Sequence, residues 1–259
     1  IAVSTASVSE IIVSDTLTFQ VKGPYIDVYT QKEPYSGRGP RAPSDAFAPQ
    51  EEVILYAYVS YSCEPEQNKP VVFIIFNPKG EIIVERTAFT NSVGIANTTF
   101  RIPWPCEDPE ETIFGTWKVL ARISILNQTA EDTLTFQVGW IIEVVEVETV
   151  NATGMAKNIF TRGEQIYFNL TVKNIAFVSK TATFTIVIYD ERSVPIGHAT
   201  LHSWVIQSGS SQFFIVDSRI PKWAYLGIAS VYANAYTNLP QLCGVPYCPE
   251  ITSTFLIQP

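Results

Sequence analysis

Apolar and polar residues alternate with a period of two along most of the chain, and no segment holds a 3.6-residue period for three turns. In the first half this pattern predicts strands over 25–30, 52–61, 70–77, 81–89, 95–102, 116–126 and 132–138. Turn-forming stretches such as NPKG and CEPEQNKP separate them. Seven short strands over about 115 residues is the spacing of an immunoglobulin-like β-sandwich.

The second half repeats the first. FAPQEEVILYAYV at 47–59 matches FTRGEQIYFNLTV at 160–172, and FRIPW at 100–104 answers SRIPKW at 218–223. GTWKVLARI at 115–123 answers GIASVYANA at 227–235, and EDTLTFQV at 131–138 answers EITSTFLI at 250–257. The expected fold is therefore all-β: two tandem immunoglobulin-like β-sandwich domains, 23–138 and 139–259, preceded by an N-terminal extension strand within 1–22.

That extension carries the main clue. DTLTFQV occurs at 15–21 and again, letter for letter, at 132–138, giving three copies of a domain-closing strand for two bodies. Alternation places Ile11, Val13, Leu17, Phe19 and Val21 on one face of the first copy. Burying three such side chains is worth roughly 5–8 kcal/mol as an upper bound. A free sheet edge is a template for another chain, and strand addition between subunits is an established recognition mode. The surplus strand is thus expected to insert into a neighbouring copy, building a head-to-tail homopolymer. Two other placements stay open: folding back onto the first domain, or closing a domain that precedes this one. Both bodies already own a closing strand, so the acceptor is not an obviously vacant place.

Composition narrows the setting. The chain has 259 residues, 46% hydrophobic and 16% charged, with a formal charge of −8 and a single Met. No Lys/Arg cluster lines any segment, which argues against nucleic acid as a partner. No run of eighteen apolar residues is present, so no membrane span is expected. The start at Ile1 fits a cleaved secretory signal. Four cysteines and four N-x-[ST] sequons point to an oxidising, extracellular or cell-surface location. The sequon residues are Asn97, Asn127, Asn151 and Asn169; alternation turns Asn97 and Asn169 to solvent, and the other two fall in turns or loops. N-linked glycans are expected at these positions.

The simplest disulfide pairing joins Cys63 to Cys106 and Cys243 to Cys248, one of three connectivities. Cys106 meeting a loop of the second domain is another, and free thiols a third outcome. His198 and His202 lie four apart without an evident third ligand, so no metal centre is expected from them. The acidic runs 106–111 and 143–148 could attract Ca²⁺ but lack a cation-loop spacing, and they read as solvated faces. No nucleophile–base arrangement, phosphate loop or catalytic acid pair stands out, so neither an enzyme nor a cofactor is expected.

VYTQKEPYSGRGP at 28–40, SDAFAPQEEVILYAYV at 44–59, SVPIG at 193–197 and GVPYCPE at 244–250 resemble tandem Ig-like surface proteins of thermophilic archaea. The resemblance covers both bodies. It implies a secreted, glycosylated envelope protein, and some similar proteins are thread-type filament (pilus) subunits that polymerise by donor-strand complementation. Type IV pilins and archaellins begin with a long apolar helix, whereas Ser4, Thr5, Ser7, Ser9, Glu10, Ser14 and Asp15 interrupt the start of this chain. The expected function is a structural subunit of an extracellular filament, its partners being other copies of itself and other cells or surfaces. A cell-envelope (S-layer) lattice protein or an adhesin-type binding module is the alternative.

Overall fold

The computed structural model describes residues 2–8, 11–17, 23–105 and 112–259, the first two segments by their backbone. These residues are almost entirely strand and turn, so the chain is all-β. At the N-terminus β1 (Ala2–Val8) and β2 (Ile11–Leu17) pair antiparallel as a sheet of their own.

Residues 24–138 form the first body. One sheet holds β3 (Pro24–Thr30), β4 (Glu52–Tyr61), the two-residue β5 (Glu64–Pro65) and β8 (Ile95–Arg101), with β4 central. The other holds β6 (Pro70–Phe76), β7 (Ile82–Phe89), β9 (Gly115–Ile125) and β10 (Gln128–Val138) in the order β10-β9-β6-β7. Alternation turns Val53, Leu55, Ala57 and Val59 of β4 inward against Val71, Phe73 and Ile75 of β6, all fully buried. Trp117 anchors this core in a three-ring cluster with Phe100 and Phe136, at ring distances of 6.1 and 6.4 Å. Its indole N–H donates to the Ile113 carbonyl at 2.7 Å, so the large side chain is buried with its polar group satisfied.

The second body repeats this order. β11 (Ile142–Val150), β13 (Gln165–Asn174) and β16 (Ser211–Arg219) make one sheet; β12 (Ile159–Thr161), β18 (Ile251–Gln258), β17 (Gly227–Tyr236), β14 (Lys180–Tyr189) and β15 (Pro195–Ile206) make the other. Ile166, Phe168, Leu170 and Val172 point into its core, as the alternation of β13 predicts. Both bodies close the same way. Phe47 bridges Val138 in parallel, and β12, with Phe160, runs parallel to β18. Each Phe is buried against a Phe of the closing strand: Phe47 lies 5.0 Å from Phe136, and Phe160 lies 5.5 Å from Phe255.

Only residues 139–141 separate β10 from β11. Gly139 N–H donates to Phe47 O at 3.2 Å, and Ile141 O accepts from Ile175 N–H at 3.2 Å. Asp45 of the first body accepts the Phe177 N–H of the second at 2.6 Å. Ala46, Ile141 and Ala176 pack together beneath this contact. No helix among the described residues is long and apolar enough to cross a membrane.

Candidate functional site

The repeated motif has different surroundings in its two full copies. At 132–138 it is the second half of β10, with Leu134, Phe136 and Val138 buried at 0, 1 and 2% exposure and Thr133, Thr135 and Gln137 turned out. At 15–21 the structure departs from a single extension strand. Ile11, Val13 and Leu17 lie in β2, which pairs residue for residue with β1, and Phe19 and Val21 lie outside the described residues. The β1 sequence, AVSTASV, has small residues and weak amphipathic contrast, which is why alternation did not announce it. Among the described residues, the resulting two-stranded sheet pairs with no other strand.

The four sequon residues fall in three kinds of place. Asn97 is exposed on β8, opposite Tyr56. Asn127 is exposed in the two-residue turn between β9 and β10, where Leu126 and Asn127 both have positive φ, 48° and 64°. Asn151 folds its side chain into its own loop: Oδ1 accepts from Thr153 N–H, Thr153 Oγ1 and Met155 N–H at 2.9, 2.7 and 3.0 Å. Asn169 does lie on the face of β13 away from the core, but it is half-buried between Glu148 and Ile215, and its Oδ1 is buried without a hydrogen bond.

Cys63, Cys243 and Cys248 are free thiols, and Cys106 lies outside the described residues. The expected Cys243–Cys248 bridge is not formed. A 3-10 turn, Pro240–Leu242, leads into Cys243 at φ 60°, leaving that side chain exposed. Gly244 packs so closely that a Cβ there would come 1.9 Å from Asn238 O. Cys248 is instead drawn into the second core, where its Sγ accepts the Val144 N–H at 3.5 Å. Burial pushes its thiol pKa up, against the lowering influence of the backbone N–H groups.

His198 and His202 are both exposed on β15, and the β14–β15 register shifts between Ala182 and Phe184, next to His202. The acidic run 106–111 lies outside the described residues. That at 143–148 lies on β11, where a bulge between Val144 and Glu146 turns Val145 out to 52% exposure. Among the described residues no three His, Cys, Asp or Glu side chains come together as a metal site.

One constellation was not read from the sequence. The β3–β4 face away from the core carries Tyr25 beside Tyr58, ring centroids 6.4 Å apart, and Tyr29 stacked on Tyr56 at 5.3 Å. The Arg38 guanidinium lies 4.6 Å over Tyr29. Among them Asp27 is 6% exposed, with Oδ1 accepting the Gly39 N–H at 2.9 Å. Burial pushes the Asp27 carboxyl above its ordinary pKa; the negative charge of Asp132 adds to this, while the Gly39 N–H and Arg38 oppose it. The only sequence signal was the lone Asp in the apolar run YIDVY.

No family model and no curated protein matches the chain. Among solved structures, the C-terminal domain of Wzt is similar over 46% of this chain and 74% of its own, at 11% identity and TM-score 0.38. A DUF4785 family protein from Legionella pneumophila is similar over 90% of this chain and 56% of its own, at 10% identity and TM-score 0.35. Salmonella alpha-2-macroglobulin is similar over 99% of this chain, at 12% identity and TM-score 0.36, and the chain spans 18% of that protein's length.

Proposed function

We propose that the protein is a structural subunit of an extracellular filament, comparable to the archaeal thread subunits. In this reading two tandem Ig-like domains form the rod, and the N-terminal β segment, residues 1–22, joins each copy to the next. Glycans on the exposed sequon residues Asn97 and Asn127 decorate the outside, and no catalysis or cofactor is involved. The observation that carries the reading is the β1–β2 sheet, paired with no other described strand, in a chain whose two bodies already close their own sheets with β10 and β18. A two-stranded sheet is at best marginally stable alone in water. Pairing with another copy supplies the missing ladder and cover. Because donor and acceptor surfaces differ, the contact is heterologous, and it propagates as an open filament unless rotation closes a ring.

Electron microscopy of the full chain beside a chain lacking residues 1–22 tests this. Filaments from the full chain alone support it, and filaments from both overturn it. The tyrosine face favours a second reading, an adhesin-type module or lattice protein that contacts glycans. Saccharide binding by the monomeric chain, lost in Tyr56→Ala, would favour that reading.

A further inference from the structure

An unpaired strand edge recruits other chains unless something blunts it, and the edges of the two bodies differ in this respect. On β7 the charged pair Glu85 and Arg86 occupies mid-strand, and its pairing with β6 is broken by a register shift at Ile75/Phe76. The β15 edge is distorted by two register shifts and a positive φ of 50° at Ser203. A bulge and three glutamates interrupt β11. On β3 the Val28 N–H is already taken by Asp132 and the Thr30 N–H by Ser36. β8 shows polar Asn97 and Thr99 to solvent. β12 is only three residues long.

β16 lacks a bulge, and its two charges, Asp217 and Arg219, fall at its C-terminal end. Its pairing with β13 runs unbroken from Gln165↔Arg219 to Lys173↔Ser211. Its sequence, SQFFIVDSR, contains no Gly, Pro or Lys, and no charge before Asp217. Phe213 and Ile215 stand on its outward face at 72% and 56% exposure. Among the described residues, no strand other than β13 pairs with it.

We propose that the free edge of β16 is the acceptor for the β1–β2 sheet of a second copy, an inference that rests on the N-terminal segment being the joining element. Each half of the proposed contact lacks what the other offers. The β1–β2 sheet needs a third strand, and β16 has an unpaired backbone edge with uncovered apolar side chains beside it. The seven-residue strands β1 and β2 are short enough to lie along the nine residues of β16. The donor is assigned to a second copy; among the described residues, the chain's own β1–β2 sheet does not pair with its own β16.

The test uses the full-length chain and Ile215→Lys, which puts a charge at an exposed position in the middle of the edge. Thr99→Lys on β8 is the control. Assembly of the Ile215→Lys chain should need roughly tenfold or more higher concentration, about 1.4 kcal/mol or more, while Thr99→Lys assembles like the parent. Hydrogen exchange on the unsubstituted chain should show amides 211–219 slowed on assembly compared with the dilute chain. If β16 exchanges equally in both states, the acceptor is wrong, whether or not the variant folds. If Ile215→Lys assembles normally while the chain lacking 1–22 does not, the edge assignment fails and the joining role of the N-terminus survives. If both assemble normally, or the parent never assembles, both readings fall.

Discussion

The backbone N–H of Val28 donates to the Asp132 carboxylate at 2.8 Å, tying the first strand of the first body to its last across 104 positions of sequence. The second body makes the same kind of tie with different chemistry, the Val144 N–H donating to Cys248 Sγ at 3.5 Å. In each case a side chain takes an edge donor that no neighbouring strand reaches. Asp132→Ala should therefore cost about 1–3 kcal/mol in urea unfolding, because it strands that N–H. Asp132→Asn, which keeps an acceptor, should cost less.

Asp27 gives the first body a pH dependence of unusual sign. Its carboxyl is pushed above the ordinary value, so the folded state holds this proton more tightly than the unfolded chain. The stabilisation from protonation is full below the ordinary carboxylate pKa of about 4 and declines as pH rises through the raised folded value. Asp27→Asn should flatten that decline in a series of urea midpoints from about pH 4 upward. An unchanged slope would contradict the assignment.

Asp190 behaves in the opposite sense. Burial raises its pKa, but N–H bonds from Tyr225, Val194 and Arg192, together with the Arg192 charge, outweigh burial and hold it below the ordinary value. Those three bonds measure 3.0, 3.1 and 3.0 Å. Its contribution is present above the ordinary carboxylate pKa and is lost as pH falls through the depressed folded value. Asp190→Ala should cost about 3 kcal/mol by leaving several N–H groups without their acceptor. The same substitution should reduce the acid sensitivity of the second body.

The thiols should separate by accessibility. Cys63 and Cys243 are exposed and should react with a thiol reagent in the native protein. Cys248, buried and held as the thiol, should react only after denaturation. Peptide mapping without reductant that recovered a Cys243–Cys248 bridge would contradict this arrangement.

Phe47 and Phe160 occupy matching places, each buried against a Phe of the closing strand. Phe47→Ala and Phe160→Ala should each cost about 3–5 kcal/mol. Calorimetry should show each substitution acting chiefly on its own body.

Much of this was legible before any coordinates. The period-two runs mark β3, β4, β6 to β10 and β13 to within a few residues, because each strand buries one face and wets the other. The match of 47–59 with 160–172 marks a structural repeat, with Phe47 and Phe160 both lying parallel to the closing strand. What local pattern does not carry is partner choice. Nothing in the letters of 2–8 fixes a pairing with 11–17, and nothing near Asp132 says that its carboxylate reaches Val28. Cys243 and Cys248 looked joinable because they are close in sequence, but one side chain was needed by the core.

The short link at 139–141 has a mechanical meaning. Gly139 is bonded to the first body and Ile141 to the second, and Asp45 reaches across to Phe177. A chain pulled from its two ends has no slack to take up at this joint before those bonds are strained.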